Sequence, residues 1–190
     1  MNYKKIPYKV CSQVLPRFAA SDVARKHLEQ DFTIAKSIEV MAENELHNDL
    51  TQFIAHALPV REAIWWASLC LIQRKKDWDQ TQIQCIEAAR EWVQSPNEGL
   101  RRRSELLSNR LGLNCGPSWL AQAVFWNGSG SIVSPDLPSV MPDPFLYAKA
   151  VAGAINHSSV LPAWDNTKQY YIQSLKFAID IANGGDGGES

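Results

Sequence analysis

The stretch at 58–73, LPVREAIWWASLCLIQ, decides the fold of this chain. Pro59 can occupy the first position of a helix, because its missing N–H would have no partner there. Apolar residues then recur at helical spacing on two sides of that helix, namely Val60, Ile64, Ala67 and Leu71 on one and Trp65, Leu69 and Ile72 on the other. A helix that is apolar almost all round must be covered by neighbours on most sides. We therefore expect 58–73 to form the central helix of an all-α domain.

Helical periodicity and helix start signals continue on both sides of this stretch. A short polar side chain before an apolar periodic run can accept hydrogen bonds from the free N–H groups of a first helical turn. The predicted N-caps are Ser21 or Asp22, Asp31, Asp77 with Gln80 completing a capping box, Asp143 before Pro144, and Asp165 or Asn166. No segment alternates as a strand would. The chain thus predicts a single-domain bundle of about seven to nine helices.

Three segments fall outside the helical pattern. Residues 1–20 contain two prolines without periodicity and are expected to form an irregular arm before a helical domain at 21–184. The glycine-rich end, 185–190, is expected to be a flexible tail. Between 127 and 142 lies a loop rich in Gly, Ser and Pro that is longer than the usual connection. Its scattered apolar residues predict one long ordered loop that is packed down on the domain.

The composition argues against several classes of function. With 19 Lys and Arg against 20 Asp and Glu, the net charge of −1 lacks the basic excess that phosphate neutralisation needs, so we expect no nucleic-acid partner. The N-terminus lacks a secretion signal, and the apolar run at 63–72 is about half of the roughly 20 residues that span a bilayer. The four cysteines are widely spaced, which favours reduced thiols. We expect a soluble, cytoplasmic protein without membrane contact.

No catalytic or metal motif stands out in the sequence. His27, His47, His56 and His157 form no His-x-x-x-His pair, and no Cys-x-x-Cys occurs, so we expect no metal ion. The glycine pairs lack the strand and the Lys-Ser/Thr of a phosphate loop, and no Gly-x-Ser-x-Gly elbow is present. We therefore expect no cofactor and no enzymatic activity. An enzyme would need a polar, convergent pocket assembled from distant parts of the chain.

Two further features are the seven tryptophans and the run Arg101, Arg102 and Arg103. Three arginines beside leucines on a helix most often form a solvated face, and we favour this interpretation over a phosphate or acidic-partner site. Large apolar residues at helical spacing are expected inside. The core residues predicted in this way are Ile64, Trp66, Leu71, Trp92 and Trp119. Trp126 and Trp164 are the better candidates for exposed contacts, since each lies beside a chain breaker.

Three motifs resemble, in the same order, a bacterial family of unknown function that is encoded in type VI secretion gene clusters. They are HALPVREAIWWASLC at 56–70, PSWLAQAVFWNGSGS at 117–131 and AKAVAGA at 148–154, and the resemblance covers about 45–183. Genes of such clusters encode spike-tip proteins and their loading partners. The resemblance therefore implies a cytoplasmic accessory protein, an adaptor or chaperone that helps to load a secreted effector or spike-tip protein.

A protein of this kind needs a surface for its partner, and the long loop is the expected contact. The partner-binding candidates are Arg61, Trp126, Ile132, Val133, Leu137, Met141 and Trp164. Loops of this length are commonly functional, and Arg61 is one of the few charges on the predicted central helix. The alternatives are a loop that only seals the core above an internal salt bridge, a helical immunity protein that neutralises a toxin, and an unrecognised enzyme.

Overall fold

The computed structural model describes residues 3–188, and these residues fold into nine α-helices without a β-sheet. The helices are α1 Asp22–His27, α2 Ile34–Glu43, α3 His47–Ala57, α4 Val60–Ile72, α5 Gln80–Gln94, α6 Glu98–Leu111, α7 Gly116–Phe125, α8 Leu146–Ser158 and α9 Thr167–Ala182. Short 3₁₀ turns lie at Cys11–Gln13, Leu15–Arg17, Lys75–Asp77 and Trp164–Asn166. The predicted all-α, single-domain bundle is confirmed.

Helix α4 is the central helix, since it packs against α5, α7, α8 and α9. Ile64, Trp66 and Leu71 are buried, and the indole N–H of Trp66 donates to the carbonyl of Ser174 on α9 at 2.7 Å. Pro59 is the N-cap of α4, one residue earlier than the position that the sequence predicts. The less buried face of α4 carries Arg61 together with a neighbouring acid and tryptophan.

Helix α8 is the other interior element, and small side chains make its close packing possible. Its alanines at 148, 150, 152 and 154 are fully buried, and the helix contacts α3, α4 and α7. Trp119 on α7 lies against Gly153, where an added Cβ would be 3.5 Å from the ring. Trp92 is buried as expected, whereas Trp119 is only half-buried, so the prediction that it belongs to the core is wrong in part.

The predicted N-caps of three helices, α2, α5 and α8, are each wrong by two residues. Thr33 rather than Asp31 caps α2, and Asp79 with Gln82 forms the capping box of α5 that was assigned to Asp77. The later start of α5 has a physical cause. Trp78 is buried and donates its indole N–H to Leu71 O at 2.9 Å, and this contact keeps Trp78 outside the helix that follows it. The predicted cap Ser21 of α1 is confirmed by its bond from Ala24 N.

The predicted start of α8 at Asp143 is also wrong. The chain first makes a turn, in which Leu146 N donates to Asp143 O at 3.1 Å, and the helix begins at Leu146. Phe145, the N-cap, has a φ of 65°, in the left-handed region that non-glycine residues rarely adopt. Its ring lies 4.3 Å from the guanidinium carbon of Arg17. This contact with the N-terminal arm stabilises the left-handed backbone conformation of Phe145.

The N-terminal arm lies across the domain and contributes to the core. Its residues Ile6, Cys11, Val14 and Phe18 are buried, and Lys5 N donates to Ala182 O at the end of α9. All four cysteines of the chain are buried and free. Burial raises the pKa of Cys70 to about 12, so this thiol stays protonated and unreactive.

The C-terminal residues 185–188 are held against the domain, contrary to the expected flexible tail. Gly185 N and Gly187 N donate to the backbone oxygen and a carboxylate oxygen of Asp180 at 3.0 and 2.8 Å. Trp65 donates its indole N–H to Asp186 O at 2.8 Å. The glycines let the chain approach this closely, because a Cβ on Gly187 would overlap with Leu69. Residues 189–190 of the expected tail lie outside the described residues.

Candidate partner-binding site

The base of the long loop is built on Arg101 of α6, which is fully buried. Its Nη1 donates to the carbonyl of Phe125 at 2.9 Å, and its Nη2 donates to the carbonyl of Ser131 at 2.9 Å. Its Nε and Nη2 also donate to the two carboxylate oxygens of Glu98 at 2.6 and 2.7 Å. One guanidinium therefore ties the end of α7 and the first part of the loop to α6.

Arg102 provides a second attachment on the same turn of α6. Its Nη2 donates to the carbonyls of Ser131 and Val133 at 3.1 and 2.9 Å, and it forms ion pairs with Glu98 and Glu105. The hydrogen bond from Arg101 is the largest cause that lowers the pKa of Glu98, and Arg102 lowers it further. The expectation of a solvated arginine face is therefore wrong for these two residues, since their charges are used to hold backbone carbonyls.

Gly130 shows how closely the loop approaches the arginine. A Cβ at this position would lie 2.8 Å from Nη2 of Arg101 and 3.0 Å from its Cζ. Only a residue without a side chain fits here without displacing the guanidinium. We refer to residues 127–142, held in this way by Arg101 and Arg102, as the clamped loop.

Further along, the clamped loop closes on itself through its own backbone. Ile132 N donates to Val140 O at 2.8 Å, and Val140 N donates to the hydroxyl of Ser131 at 3.1 Å. Leu137 N donates to Ser134 O at 3.0 Å across the turn. The segment 131–140 is thus a hydrogen-bonded loop whose two ends are paired.

The outer part of the clamped loop leaves its apolar side chains in solvent. Ile132 and Val133, near the base, are half-buried. Leu137, Val140 and Met141 are 54%, 47% and 52% exposed, and we call these three residues the apolar tip. The loop is therefore ordered as predicted, but the expectation that it packs down on the domain is wrong for the apolar tip. The reason is that backbone hydrogen bonds fix this loop, and burial of its side chains is not needed.

The remaining partner-binding candidates lie elsewhere or serve the core. Trp126, the C-cap of α7, is half-buried and packs against the main core. Trp164 is 78% exposed, in the 3₁₀ turn that precedes α9. Arg61 donates from Nε and Nη2 to the carbonyl of Val93 at the end of α5, where a cation also opposes the negative end of the helix.

The groove that Arg61 lines includes none of the other six predicted residues. Arg61 lines a groove of about 430 Å³ together with Lys5, Trp65 and the glycines that follow α9, whereas the clamped loop is attached to α6. The alternative of an internal salt bridge at Arg61 is not found among residues 3–188. Its guanidinium group donates to the carbonyl oxygen of Val93 instead. Arg101 and Arg102 were missed as functional residues. Glu98, three and four positions before them, was the available signal that these arginines are paired.

Two exposed acidic residues lie in and directly after the clamped loop. Asp136 lies within the clamped loop, Asp143 follows it, and both are exposed. The side chain of Glu98, at the base, is 59% exposed. Within residues 3–188, no three His, Cys, Asp or Glu side chains are placed to hold a metal ion, and no helix combines the length and apolarity needed to cross a membrane.

Comparison with known proteins identifies a family without an assigned activity. Residues 37–182 match a family described as a family of unknown function (DUF6931). No curated protein and no solved structure matches the chain. The matched part begins within α2 and ends at the last residue of α9, so it includes the clamped loop and both arginines that hold it, and excludes the N-terminal arm.

Proposed function

The chain belongs to this family of unknown function (DUF6931), and we propose that it acts by binding another protein through its clamped loop. The proposal rests on one observation: the backbone of the clamped loop is fixed by hydrogen bonds, but its apolar side chains are not buried. Arg101 and Arg102 donate to three loop and helix-end carbonyls, yet the apolar tip remains about half exposed. A loop that only sealed the core would bury such side chains.

A preformed apolar surface of this kind lowers the cost of binding. A mobile loop must be ordered when its partner arrives, and that conformational entropy is subtracted from the affinity. In this protein the arginine clamp and the 131–140 backbone pairs have already fixed the chain. Leu137, Val140 and Met141 can then contact a partner with little further ordering.

The acidic residues around the apolar tip indicate the chemistry of the partner. Asp136 lies within the clamped loop and Asp143 one residue beyond it, and both are exposed, whereas the carboxylate of Glu98 is paired with Arg101 and Arg102. A complementary surface has an apolar patch with lysines or arginines at its rim. We propose that the partner is a protein with such a patch.

The resemblance to a family encoded in type VI secretion clusters supports a narrower role. On that basis the protein is an adaptor or chaperone that holds a secreted effector or spike-tip protein before it is loaded, in the cytoplasm, where the four buried thiols stay reduced. Binding without catalysis is enough for this role. We do not assign an enzymatic activity, a cofactor or a nucleic-acid partner.

The proposal is tested with a variant that changes the apolar tip and leaves the clamp intact. The double variant Leu137→Ser, Met141→Ser should fold as the wild type does, because both side chains are about half exposed. Affinity for proteins of the secretion cluster, measured by calorimetry with purified candidates, should fall by roughly a hundredfold if both residues are interface anchors. Trp164→Ser is the matched control, since it removes an exposed apolar side chain outside the loop.

The results separate the alternatives. Wild-type affinity in the double variant would remove the clamped loop as the contact surface. Loss of binding only in Trp164→Ser would move the surface to the turn before α9. Capture of a toxin together with loss of its toxicity would assign the immunity role. Absence of binding to every protein of the cluster would contradict the adaptor role.

A further inference from the structure

We propose that His56 is a pH-sensitive latch, which holds residues 15–19 of the N-terminal arm against α3 while its ring is neutral and lets them open when the ring is protonated. We call residues 15–19 the latch segment. This inference does not depend on the proposed function. His56 lies inside the part of the chain that matches the family, and the latch segment lies outside it. The latch therefore connects the family domain to a segment that precedes it.

The side chain and the backbone of His56 both contact the latch segment. His56 lies on α3 and is fully buried. Its ring stacks on the ring of Phe18, with the two centres 5.4 Å apart and the planes inclined by 27°. Its carbonyl accepts a hydrogen bond of 3.3 Å from Nη1 of Arg17. The state of this one ring therefore bears directly on how the latch segment is held.

The neutral ring fits this site, whereas the protonated ring has no acceptor for its second N–H group. The Nδ1 atom lies 2.7 Å from Gln52 O, and because a carbonyl oxygen can only accept, Nδ1 carries the proton of the neutral ring. The Nε2 atom is buried without a partner. Gln52 Oε1 is also buried without a partner, so the two atoms are not bonded to each other. Protonation would place a new donor at Nε2, where no group accepts it, and a buried unsatisfied donor is costly.

The charges that act on His56 also oppose its protonation. They are Arg17 on the arm and Lys149 on α8, and no carboxylate is among them. Arg17 is held near the ring, since its guanidinium carbon lies 4.0 Å from the centre of the Tyr8 ring and 4.3 Å from that of the Phe145 ring. Burial is the main cause that lowers the pKa of His56, and the two cations lower it further, against the effect of the backbone bond to Gln52.

Opening of the latch segment would remove this cost. A cleft of about 410 Å³ is lined by residues 16–19 together with Gln52 and Lys149. His56 does not line the cleft, but Phe18 does, and Phe18 covers the His56 ring. Displacement of Phe18 would therefore bring water to the ring. Water can accept from Nε2 and screens the charge of the imidazolium from both cations.

The opening is local, because the chain is held separately on both sides of the latch segment. Before it, Cys11 N donates to Phe32 O at 2.7 Å. After it, the backbone N–H and the hydroxyl of Ser21 donate to the carboxylate oxygens of Asp49, each at 2.8 Å. Neither anchor includes His56. Protonation should thus release the latch segment and leave the rest of the arm in place.

The experiment follows opening through hydrogen exchange of wild-type amides at a series of pH values. Open His56 has the ordinary pKa of 6.5 and closed His56 has a lower one, so opening takes up a proton. As pH falls from 6.5 towards the closed-state pKa, the open fraction should rise by up to roughly tenfold per pH unit. The probes are the amides of Arg17 and Ala20, which donate to Val14 O and Phe18 O. The Cys11 amide should keep its protection factor.

Three variants test the role of the histidine. Lys149→Gln removes an exposed cation, so it should raise the pKa of His56 in an NMR titration and reduce the loss of protection at Arg17 in acid. His56→Leu cannot be protonated and should show no such loss. His47→Gln is the matched control, because burial also lowers the pKa of His47, but its ring stacks on Tyr171 and not on the arm. Its Arg17 amide should respond to acid as in the wild type.

The opposite results would overturn the proposal. A His56 pKa of 6.5 or higher in the wild type would mean that the closed structure accommodates the imidazolium. Protection of the Arg17 and Ala20 amides that does not change with pH would show that the latch segment stays closed. Parallel loss at Cys11 would mean that the whole arm unfolds. An acid response in Lys149→Gln equal to that of the wild type would exclude His56 as the group that is protonated, and this variant decides the matter if His56→Leu does not fold.

Discussion

The clamped loop and the C-terminal residues 183–188 are both irregular and glycine-rich, and helix side chains hold the backbone of both, yet the two regions differ in what they bury. At the end of the chain, the indole N–H of Trp65 donates to Asp186 O, and a carboxylate oxygen of Asp180 accepts from Gly187 N. Gly187 itself is buried. The clamped loop is fixed by side chains of α6 that reach its carbonyls, while the apolar tip stays in solvent.

This difference shows that composition predicts the absence of regular structure but not the absence of order. A glycine gives the backbone conformational freedom, but it also lets the backbone approach a neighbouring group closely. Whether a glycine-rich segment is ordered depends on the side chain that it contacts. Leu69 lies opposite Gly187, and Arg101 lies opposite Gly130. In one region the glycine brings the chain into the core. In the other it brings the chain onto a guanidinium, and the neighbouring side chains remain available to a partner.

The largest expected effect is that of removing the clamp. In Arg101→Met the carbonyl of Phe125 loses a buried donor, the carbonyl of Ser131 keeps only its bond from Arg102, and an unsatisfied buried group is costly. We expect the free energy of unfolding to fall by about 3 kcal/mol. Urea denaturation followed by circular dichroism measures this change.

Arg103→Met is the matched control for Arg101→Met. Arg103 belongs to the same run, but its side chain is 50% exposed and pairs with Glu91. Its loss should change the free energy of unfolding by no more than about 0.5 kcal/mol. Equal destabilisation by the two variants would mean that Arg101 does not hold the loop.

A smaller effect is expected when the C-terminal residues are released. Gly187→Ala places a methyl group against Leu69, whereas Gly188→Ala meets nothing within 4 Å. Both glycines have positive φ, of 86° and 81°, so the left-handed cost of roughly 1 kcal/mol is common to the two variants. Only Gly187→Ala should lose the hydrogen-exchange protection of the Gly187 amide. Protection retained in Gly187→Ala would show that the backbone shifts to accommodate the methyl group.

The apolar framework of the fold was predictable from the sequence, because periodicity records which faces are buried. Ile64 and Leu71 recur at helical spacing and are both inside. Helix starts were less predictable. Asp77 and Asp143 are good caps by residue type, but the buried Trp78 and the arm contact of Phe145 determine where α5 and α8 begin.

The site was predictable only in part, because its key contacts end on backbone carbonyls. Arg101 reaches Phe125 and Ser131, which are 24 and 30 residues away, and Trp65 reaches Asp186 across 121 residues. Carbonyl oxygens occur at every residue and leave no signature in the sequence. The length and composition of the loop identified it as a region of interest, and its exposure required the three-dimensional structure.

The smallest expected effect is on the stability of the protein at low pH. It tests how much Glu98 contributes to the contact between α6 and the clamped loop. Hydrogen bonds from Arg101 and then Arg102 hold the pKa of Glu98 below its ordinary value of 4.5. A carboxyl whose pKa is lowered on folding stabilises the protein fully above its ordinary pKa and loses that contribution as pH falls through the folded value. The effect is small because the Glu98 side chain is 59% exposed and solvent screens it.

Glu98→Gln should therefore remove part of the loss of stability below pH 4.5 and leave stability above that value only slightly reduced. The measurement is urea unfolding across a pH series, with exchange of the Ile132 amide as the local probe, because its bond to Val140 closes the clamped loop. Glu91→Gln is the control, since Glu91 pairs with the exposed Arg103 and does not touch the loop. An Ile132 amide whose exchange responds to acid equally in wild type and Glu98→Gln would show that the arginines hold the loop carbonyls without help from this carboxylate.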